Sequence, residues 1–355
     1  MSVTDAYRSA RPAIAMGGDD DPILSDRLLS LVIVENVEGL YRCEALFGNW
    51  GNKNGALGFL SFDRRQFDFG KSLRIKYGQD VLFEGRISAL EGKFPRGSAP
   101  QIGVLAEDRL QDLRMKRRTR SFEDATDADV FRKIAGEHGL SANVNLPGPK
   151  HRLLAQINQS DLAFLRERAR TLAAELWIEK GALRVETRTN RQGSLHRMTY
   201  GLELREFSVL ADLAHQRTSA AVCGWDVGAK SRLKFEANDS LLSGELNGDS
   251  SGASILKSAF GERKESLVHT VPLGNADSQA EAESYFRLTG RRFVVGRGLA
   301  ACDGRLRVGR QVELLGLGPL FSGKYYLSEV RHQLLGPSGF ETEFTAERPG
   351  LGKAS

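Results

Sequence analysis

Within the stretch from Gln156 to Val185, the spacing of the apolar residues changes from that of a helix to that of a strand. This change restricts the folds that the chain can adopt. Its first part predicts a helix, because Ser160 is a favourable N-cap and apolar residues follow on one helical stripe. From Leu176 onward, apolar residues instead alternate on either side of Lys180 and Gly181, which predicts a hairpin. The stretch is therefore expected to fold as one helix followed by two short strands.

Composition narrows the class of protein. The 355 residues suffice for two or three domains, and 41% hydrophobic with 27% charged residues is typical of a soluble globular protein. The 38 glycines suit many short strands and turns. A formal net charge of +5 is too small to indicate nucleic-acid binding by itself.

Cysteines and hydropathy indicate where the chain is made. Cys43, Cys223 and Cys302 are far apart and odd in number, which disfavours a disulfide scaffold or a structural zinc site. No apolar run reaches the ~18 residues of a membrane span, and the N-terminus lacks the apolar region of a signal peptide. We therefore expect synthesis in the cytoplasm and no association with a membrane.

Strand periodicity dominates both ends of the chain. After a polar lead-in at 1–26, residues 27–114 alternate apolar and polar positions between short turns, which predicts a first β-barrel-like domain. Residues 199–350 predict a second one, with a polar loop and helix insertion at about 238–290 and a tail at 351–355. Its expected strands include Ser219–Trp225, Leu306–Val308, 312–314 and 325–334. Because it is polar and rich in glycine and serine, 238–266 is interpreted as an insertion or a long loop.

Residues 115–198 are predicted to form a smaller α/β domain between the two β domains. Thr126 and Asp129 have the spacing of a capping box before a helix. A run of basic residues precedes this helix, and it could bind phosphate or nucleic acid. Alternatively, it could be a connector that is solvated or paired with acidic residues of a neighbouring subunit. No aromatic residues interleave to stack bases, which favours the connector. The run consists of Lys116, Arg117, Arg118 and Arg120.

The sequence contains few motifs that are typical of catalytic sites. Gly248–Gly252 reads GDSSG, so a serine hydrolase acting on cell walls or peptides, with Ser250 as nucleophile, is an alternative hypothesis. The run lies in a polar stretch, however, and its partner would have to come from six scattered histidines. These are His138, His151, His196, His215, His269 and His332.

No sequence pattern supports a metal or cofactor site. The acidic run Asp19–Asp21 lacks the alternate spacing of a calcium loop, and no paired-histidine or dinucleotide-binding motif occurs. We therefore assign no catalytic, metal or cofactor residue and expect no cofactor.

Five motifs follow one another along the chain: Leu82-Phe83-x-Gly85-x-Ile87, ATDADVFRKIAGEHGL at 125–140, Gln156-x-Asn158-x-Ser160-Asp161-Leu162-x-Phe164-Leu165, Gly224-Trp225-Asp226, and the closing YYLSEVRHQLLGPSGFETEFTAER at 325–348. This ordered series resembles the late control protein D family. The members of that family are the baseplate hubs of contractile phage tails, and they are related to the hub portion of VgrG and to hubs of extracellular contractile injection systems.

The resemblance implies a mainly β fold in which two barrel-like domains flank the α/β domain. It also implies a structural, non-enzymatic homotrimer that adapts a six-fold inner tube to a three-fold spike. The expected partners are separate spike, inner-tube and baseplate wedge proteins, with a tape-measure protein as a further candidate, and nucleic acid is disfavoured. The chain ends at Ser355 without a spike of its own, so the needle is expected to be a separate polypeptide incorporated with it into the particle.

Overall fold

The computed structural model describes residues 11–53, 55–191, 193–226, 230–268, 274–336 and 339–353. Strands hold 50% of the residues and helices 21%, as the mainly β prediction requires. The chain divides into two compact units. Unit 1 contains the described residues up to Gln111 with Leu299–Val308 and Glu329–Phe344, and unit 2 contains Asp112–Gly298, Gly309–Ser328 and the described residues from Thr345.

Unit 1 is built on one antiparallel sheet. Its strands from the first part of the chain are β1 (Ala13–Met16), β2 (Leu28–Asn36), β3 (Arg42–Gly48), β6 (Ser72–Tyr77), β7 (Asp80–Lys93) and β8 (Gln101–Glu107). They are ordered β1-β6-β7-β8-β3-β2, and β2 then pairs with residues 329–335 of a late strand, β22 (Gly323–Leu335). Leu31, Ile33 and Ile75 are fully buried, so the alternating apolar positions form the core of this unit.

Smaller elements complete unit 1. A short helix, α1 (Pro22–Asp26), lies between β1 and β2, and a separate two-stranded hairpin is formed by β4 (Trp50–Lys53) and β5 (Ala56–Phe59). Leu306–Val308, expected to be a strand, is not one. Leu306 and Val308 are buried, but the backbone N–H of Val308 donates to the Glu35 side chain at 3.2 Å instead of to a strand partner.

The α/β part of unit 2 follows the predicted helix and hairpin. Helix α2 (Gln111–Arg114) precedes β9 (Arg117–Thr126), which pairs with β11 (Lys150–Ser160) in a two-stranded ribbon. A three-stranded sheet has the order β10 (Ser141–Asn145), β13 (Ala182–Thr187), β12 (Ala174–Glu179). Two helices pack here, α3 (Asp127–Glu137) and α4 (Asp161–Thr171).

Side-chain caps fix the starts of both helices. The Ser160 side chain accepts from the Ala163 N–H at 3.2 Å, as predicted for α4. Thr126 and Asp129 form the reciprocal capping box of α3. The capping box predicted from the spacing of Thr126 and Asp129 is therefore confirmed.

Six strands that contribute residues to unit 2 belong to the same 12-stranded sheet, which branches at β22. They pair in the order β14 (His196–Thr199), β21 (Gln311–Leu315), β22, β23 (Phe340–Arg348), β20 (Val294–Ala301) and β15 (Leu204–Ala211), so that β14 and β15 are end strands. Strands β20, β22 and β23 each contribute residues to both units. A short helix, α7 (Gly318–Phe321), separates β21 from β22.

A third group in unit 2 includes residues 238–266, and it shows that the long-loop alternative for this stretch is wrong. Residues 238–266 contain a 3-10 helix (Asp239–Glu245), β18 (Ser250–Ser251), α5 (Gly252–Phe260) and the start of β19 (Lys264–Leu267). Strands β16 (Ser219–Asp226) and β17 (Ser231–Asn238) join β19 in a sheet covered by α6 (Asn275–Gly290). Buried Leu242 and Ala253 anchor the two helices in this core, so a few apolar residues suffice to order a polar stretch.

Among the described residues, no helix is both long and apolar enough to cross a bilayer.

Candidate functional surfaces

The GDSSG stretch has a structural explanation. Ser250 and Ser251 form β18, which pairs with β24 (Gly350–Leu351). The Ser251 hydroxyl accepts from the Ser254 N–H at 3.0 Å and so caps α5, and it donates to a carboxylate oxygen of Asp239 at 3.0 Å. The motif therefore starts a helix and holds it to the preceding 3-10 helix.

The structure does not bring Ser250 together with a histidine that it describes. Two of the six histidines contact carboxylates elsewhere, His138 that of Asp161 at 2.8 Å and His151 that of Asp127 at 2.9 Å. His332 is buried in unit 1 and contacts Thr342 at 2.9 Å. His269 lies outside the described residues. The hydrolase hypothesis thus gains no support from the geometry of these side chains.

Two arginines of the basic run, Arg118 and Arg120, are paired within the chain. Asp161, whose side chain is 1% exposed, lies 2.9 Å from Arg120 and 3.2 Å from Arg118. Glu137 also binds both arginines, Arg120 at 2.7 Å and Arg118 at 3.3 Å. The acidic partners of these two arginines therefore belong to the same chain, whereas the connector interpretation expects either a solvated run or partners on a neighbouring subunit.

Electrostatics keep this cluster ionised. Burial raises the pKa of Asp161, but hydrogen bonds from His138 and Gln156 and the charge of Arg120 outweigh it, so that the pKa is lowered overall. The arginines are held by a carboxylate that stays charged, and they are correspondingly less available to a nucleic-acid phosphate.

A second ionic cluster joins three helices of unit 2. Asp127 at the start of α3 binds Arg168 of α4 at 2.6 Å and the His151 ring at 2.9 Å. The other ring nitrogen of His151 lies 3.4 Å from Asp277 of α6. Hydrogen bonds to Asp127 and then to Asp277 raise the pKa of His151 to about 9, so the imidazole is charged at neutral pH.

The acidic run near the N-terminus also has structural partners. Asp21 accepts from the Leu24 N–H at 3.0 Å and so caps α1, while Asp20 pairs with Lys76 at 3.0 Å. Throughout the part of the chain that the structure describes, no group of three or more His, Cys, Asp or Glu side chains is arranged to hold a metal ion.

Sequence reasoning missed an exposed aromatic surface on unit 1. The rings of Trp50 and Phe59 meet edge to face at 5.3 Å between centroids, and Phe62 and Phe94 extend the cluster at 5.1 Å from Phe59 and 5.5 Å from Phe62. Trp50 is 44% exposed, Phe94 67% and Leu57 75%. We call Trp50, Leu57, Phe59, Phe62 and Phe94 the aromatic surface.

Strand β15 lies at one end of the sheet. Among the described strands it pairs only with β20, and the Leu204 C=O at its start accepts from the Gly201 N–H at 2.9 Å. Leu210 on β15 is 65% exposed, and Leu202 and Tyr200, which precede it, are 72% and 54% exposed. We call Tyr200, Leu202 and β15 the β15 edge.

Solved structures with the same fold are tail proteins and secretion-system components. The 43 kDa tail protein of prophage MuSo2 from Shewanella oneidensis has a TM-score of 0.70 at 11% identity, over 96% of this chain and 98% of that one. A tail protein from Neisseria meningitidis MC58 has a TM-score of 0.71 at 12% identity, over 96% and 97%. An E. coli component of the type VI secretion system has a TM-score of 0.58 at 12% identity, over 96% and 79%.

These likenesses define the fold of the chain as that of phage tail proteins and VgrG-like proteins, which confirms the mainly β, tail-hub architecture inferred from its motifs. The profile of the Alg8 N-terminal domain family matches residues 57–335, and the chain therefore belongs to this family. No curated protein matches the sequence.

Proposed function

We propose that this protein is a structural baseplate hub of a contractile injection machine, and that three copies form the adaptor between a six-fold inner tube and a three-fold spike. The observation that carries the proposal is the fold, which extends over 96% of the chain in both the tail proteins and the type VI secretion component. Identities of 11–12% support a common architecture rather than common details.

The symmetry argument follows from having two β regions in one chain. In this proposal the barrel-like domains span residues 27–114 and 199–350, and residues 115–198 form the α/β domain between them. Three copies then supply six β domains, enough to match a six-fold tube with three-fold symmetry. A closed ring requires heterologous interfaces, in which each copy uses two different surfaces.

The internal pairing of charged side chains agrees with a role that depends on shape. The GDSSG serines support a helix, and Arg118 and Arg120 are held by Asp161. We propose accordingly that the partners are proteins of the particle, namely spike, inner tube, baseplate wedge and tape measure. The protein would be made in the cytoplasm and built into the baseplate.

A pull-down from the producing cell tests this function. Tagged protein, purified after gentle lysis, should recover a spike protein and a tube protein identified by mass spectrometry. A variant with Leu24→Asp, which places a charge at a fully buried core position of unit 1, is the unfolded control. Recovery of neither partner with the folded native protein would contradict the proposal.

A further inference from the structure

We propose that the aromatic surface of one copy docks against the β15 edge of the next copy, and that this contact is the repeating heterologous interface of the ring. The inference rests on the trimeric adaptor proposed above. It assigns the two different surfaces that each copy must use.

The aromatic surface has the size and composition of an interaction site. An aromatic side chain buries roughly 150–250 Å² in a protein interior, so the exposed fractions of Trp50, Phe59, Phe94 and Leu57 together leave on the order of 400 Å² of apolar area in water. Trp50 and Phe59 stand on the β4–β5 hairpin, which pairs with no other described strand. An isolated two-stranded hairpin is marginally stable, so covering its apolar face would stabilise it.

The rim of the aromatic surface carries surplus positive charge. Lys53 holds Asp63 at 2.9 Å, and Arg65, whose side chain is 89% exposed, is left 3.9 Å from the same carboxylate. Arg96, close in sequence to Phe94, is exposed and forms no ion pair with any residue the structure describes. A complementary partner should therefore present apolar side chains beside carboxylates.

The β15 edge meets that requirement. Leu202 and Leu210 are exposed, and between them lie two carboxylates, Glu203 and Glu206, and one guanidinium, Arg205, so that acidic charge is in excess. Within the described part of the chain, Glu206 has no ion-pair partner. The strand also lacks the proline that commonly prevents an end strand from pairing further.

A second copy of the chain is the partner that accounts for both the aromatic surface and the β15 edge. Each chain carries one aromatic surface and one β15 edge, of opposite rim charge, and neither matches itself. A contact between such unlike surfaces is heterologous, and repeated around a ring it satisfies every copy. In this contact the rings of the hairpin cover Leu210 and Leu202.

Disulfide cross-linking between differently tagged chains tests the contact. In a Cys223→Ser background, one chain carries Leu57→Cys and the other Leu210→Cys, so that only a contact between two copies can link the variants. Mixed under mild oxidation, they should give a covalent heterodimer. The matched control is Ile23→Cys, which is 72% exposed against 75% for Leu57 and should give none with Leu210→Cys.

Interface variants supply a second measurement. Trp50→Ala with Phe59→Ala should raise the dissociation constant of the trimer by more than about tenfold, because central aromatic residues dominate interface energies. Glu206→Arg should weaken the trimer, and adding Arg65→Glu in the same chain should restore part of the loss. Far-UV circular dichroism and the thermal transition check that each variant is folded.

The outcomes separate this inference from the function on which it rests. A native trimer that persists in the folded Trp50/Phe59 variant, with no heterodimer in the cross-linking mixture, overturns the interface and leaves the adaptor standing. A folded variant that stays trimeric but loses the tube protein would assign the surface to the tube and also overturn the inference. A native chain that neither forms a trimer nor cross-links contradicts both.

Discussion

Gly296 shows how a single residue can be fixed by the space around it. A Cβ atom at this position would lie 2.2 Å from Cζ of Phe207, whose ring packs at 5.7 Å from that of Tyr325. Gly296→Ala therefore overpacks the sheet of unit 2, and we expect it to lower the free energy of unfolding by about 1–3 kcal/mol. Urea denaturation followed by circular dichroism measures this change.

Gly136 is the matched control for that substitution. It lies in α3, and a Cβ atom there would meet no atom within 4 Å. Gly136→Ala should raise the free energy of unfolding by up to about 1 kcal/mol, because alanine is the better helix former. Equal effects of the two substitutions would contradict the packing described around Phe207.

His332 makes the stability of unit 1 sensitive to acid. Burial lowers its pKa from 6.5 to about 4, with Glu35 opposing the shift and Arg307 reinforcing it. In the unfolded chain His332 binds a proton at a higher pH than in the folded protein. The free energy of unfolding is therefore highest above about pH 6.5 and decreases as the pH falls towards 4, by about 3 kcal/mol in total. His332→Gln cannot titrate, so urea denaturation at several pH values should show a smaller acid-induced loss than in the native protein. Identical losses would mean that His332 does not carry the effect.

At the scale of elements, α5 depends on one of the two serines in the GDSSG stretch. Ser251→Ala removes the cap and the hydrogen bond to Asp239, and should cost about 1 kcal/mol of stability. Ser250→Ala keeps both contacts and should cost much less. A fluorophosphonate probe should not label the native protein at Ser250, and labelling that disappears in Ser250→Ala would revive the hydrolase.

The charge cluster around Asp161 joins β9 to α3 and α4. Asp161→Asn leaves Arg118 and Arg120 with less compensation in a partly buried site, so we expect a loss of about 2 kcal/mol or more, less than for a fully buried pair because both arginines reach solvent. Glu84→Gln, in an exposed ion pair with Arg74, should change stability little.

The same pairing predicts how the basic run behaves towards DNA. Native protein should give no discrete, salt-dependent complex with duplex or single-stranded DNA in a gel-shift assay, because Arg118 and Arg120 are already paired with carboxylates. A complex that weakens steeply with salt and is lost in Arg118→Ala with Arg120→Ala would contradict this account.

Elements with strong local signals were predictable from sequence. The hairpin after α4 turns at Lys180 and Gly181, whose φ angles of +49° and +78° suit the tight turn that the sequence suggested. Strand β9 gave no such signal, because its sequence RRTRSFEDAT is rich in charge and lacks apolar alternation. It is a strand because β11 pairs with it and acidic side chains bind its arginines.

At the scale of the whole molecule, the order of motifs predicted the mainly β class and the tail-hub fold, while the surfaces were beyond sequence reasoning. Apolar alternation marks strands but does not say which apolar residues remain exposed. The aromatic surface gathers β4, β5, the residues after β5 and the end of β7, which only the folded chain brings together. The β15 edge likewise depends on strand order, which periodicity does not determine.

Three copies of the chain form one adaptor in the proposed function, and the mass of the purified native assembly tests this trimer most directly. Native mass spectrometry at micromolar concentration, with and without the spike protein, should show a species of three times the 39.1 kDa chain mass. A spectrum that contains only the 39.1 kDa monomer, even with the spike protein present, would contradict the account.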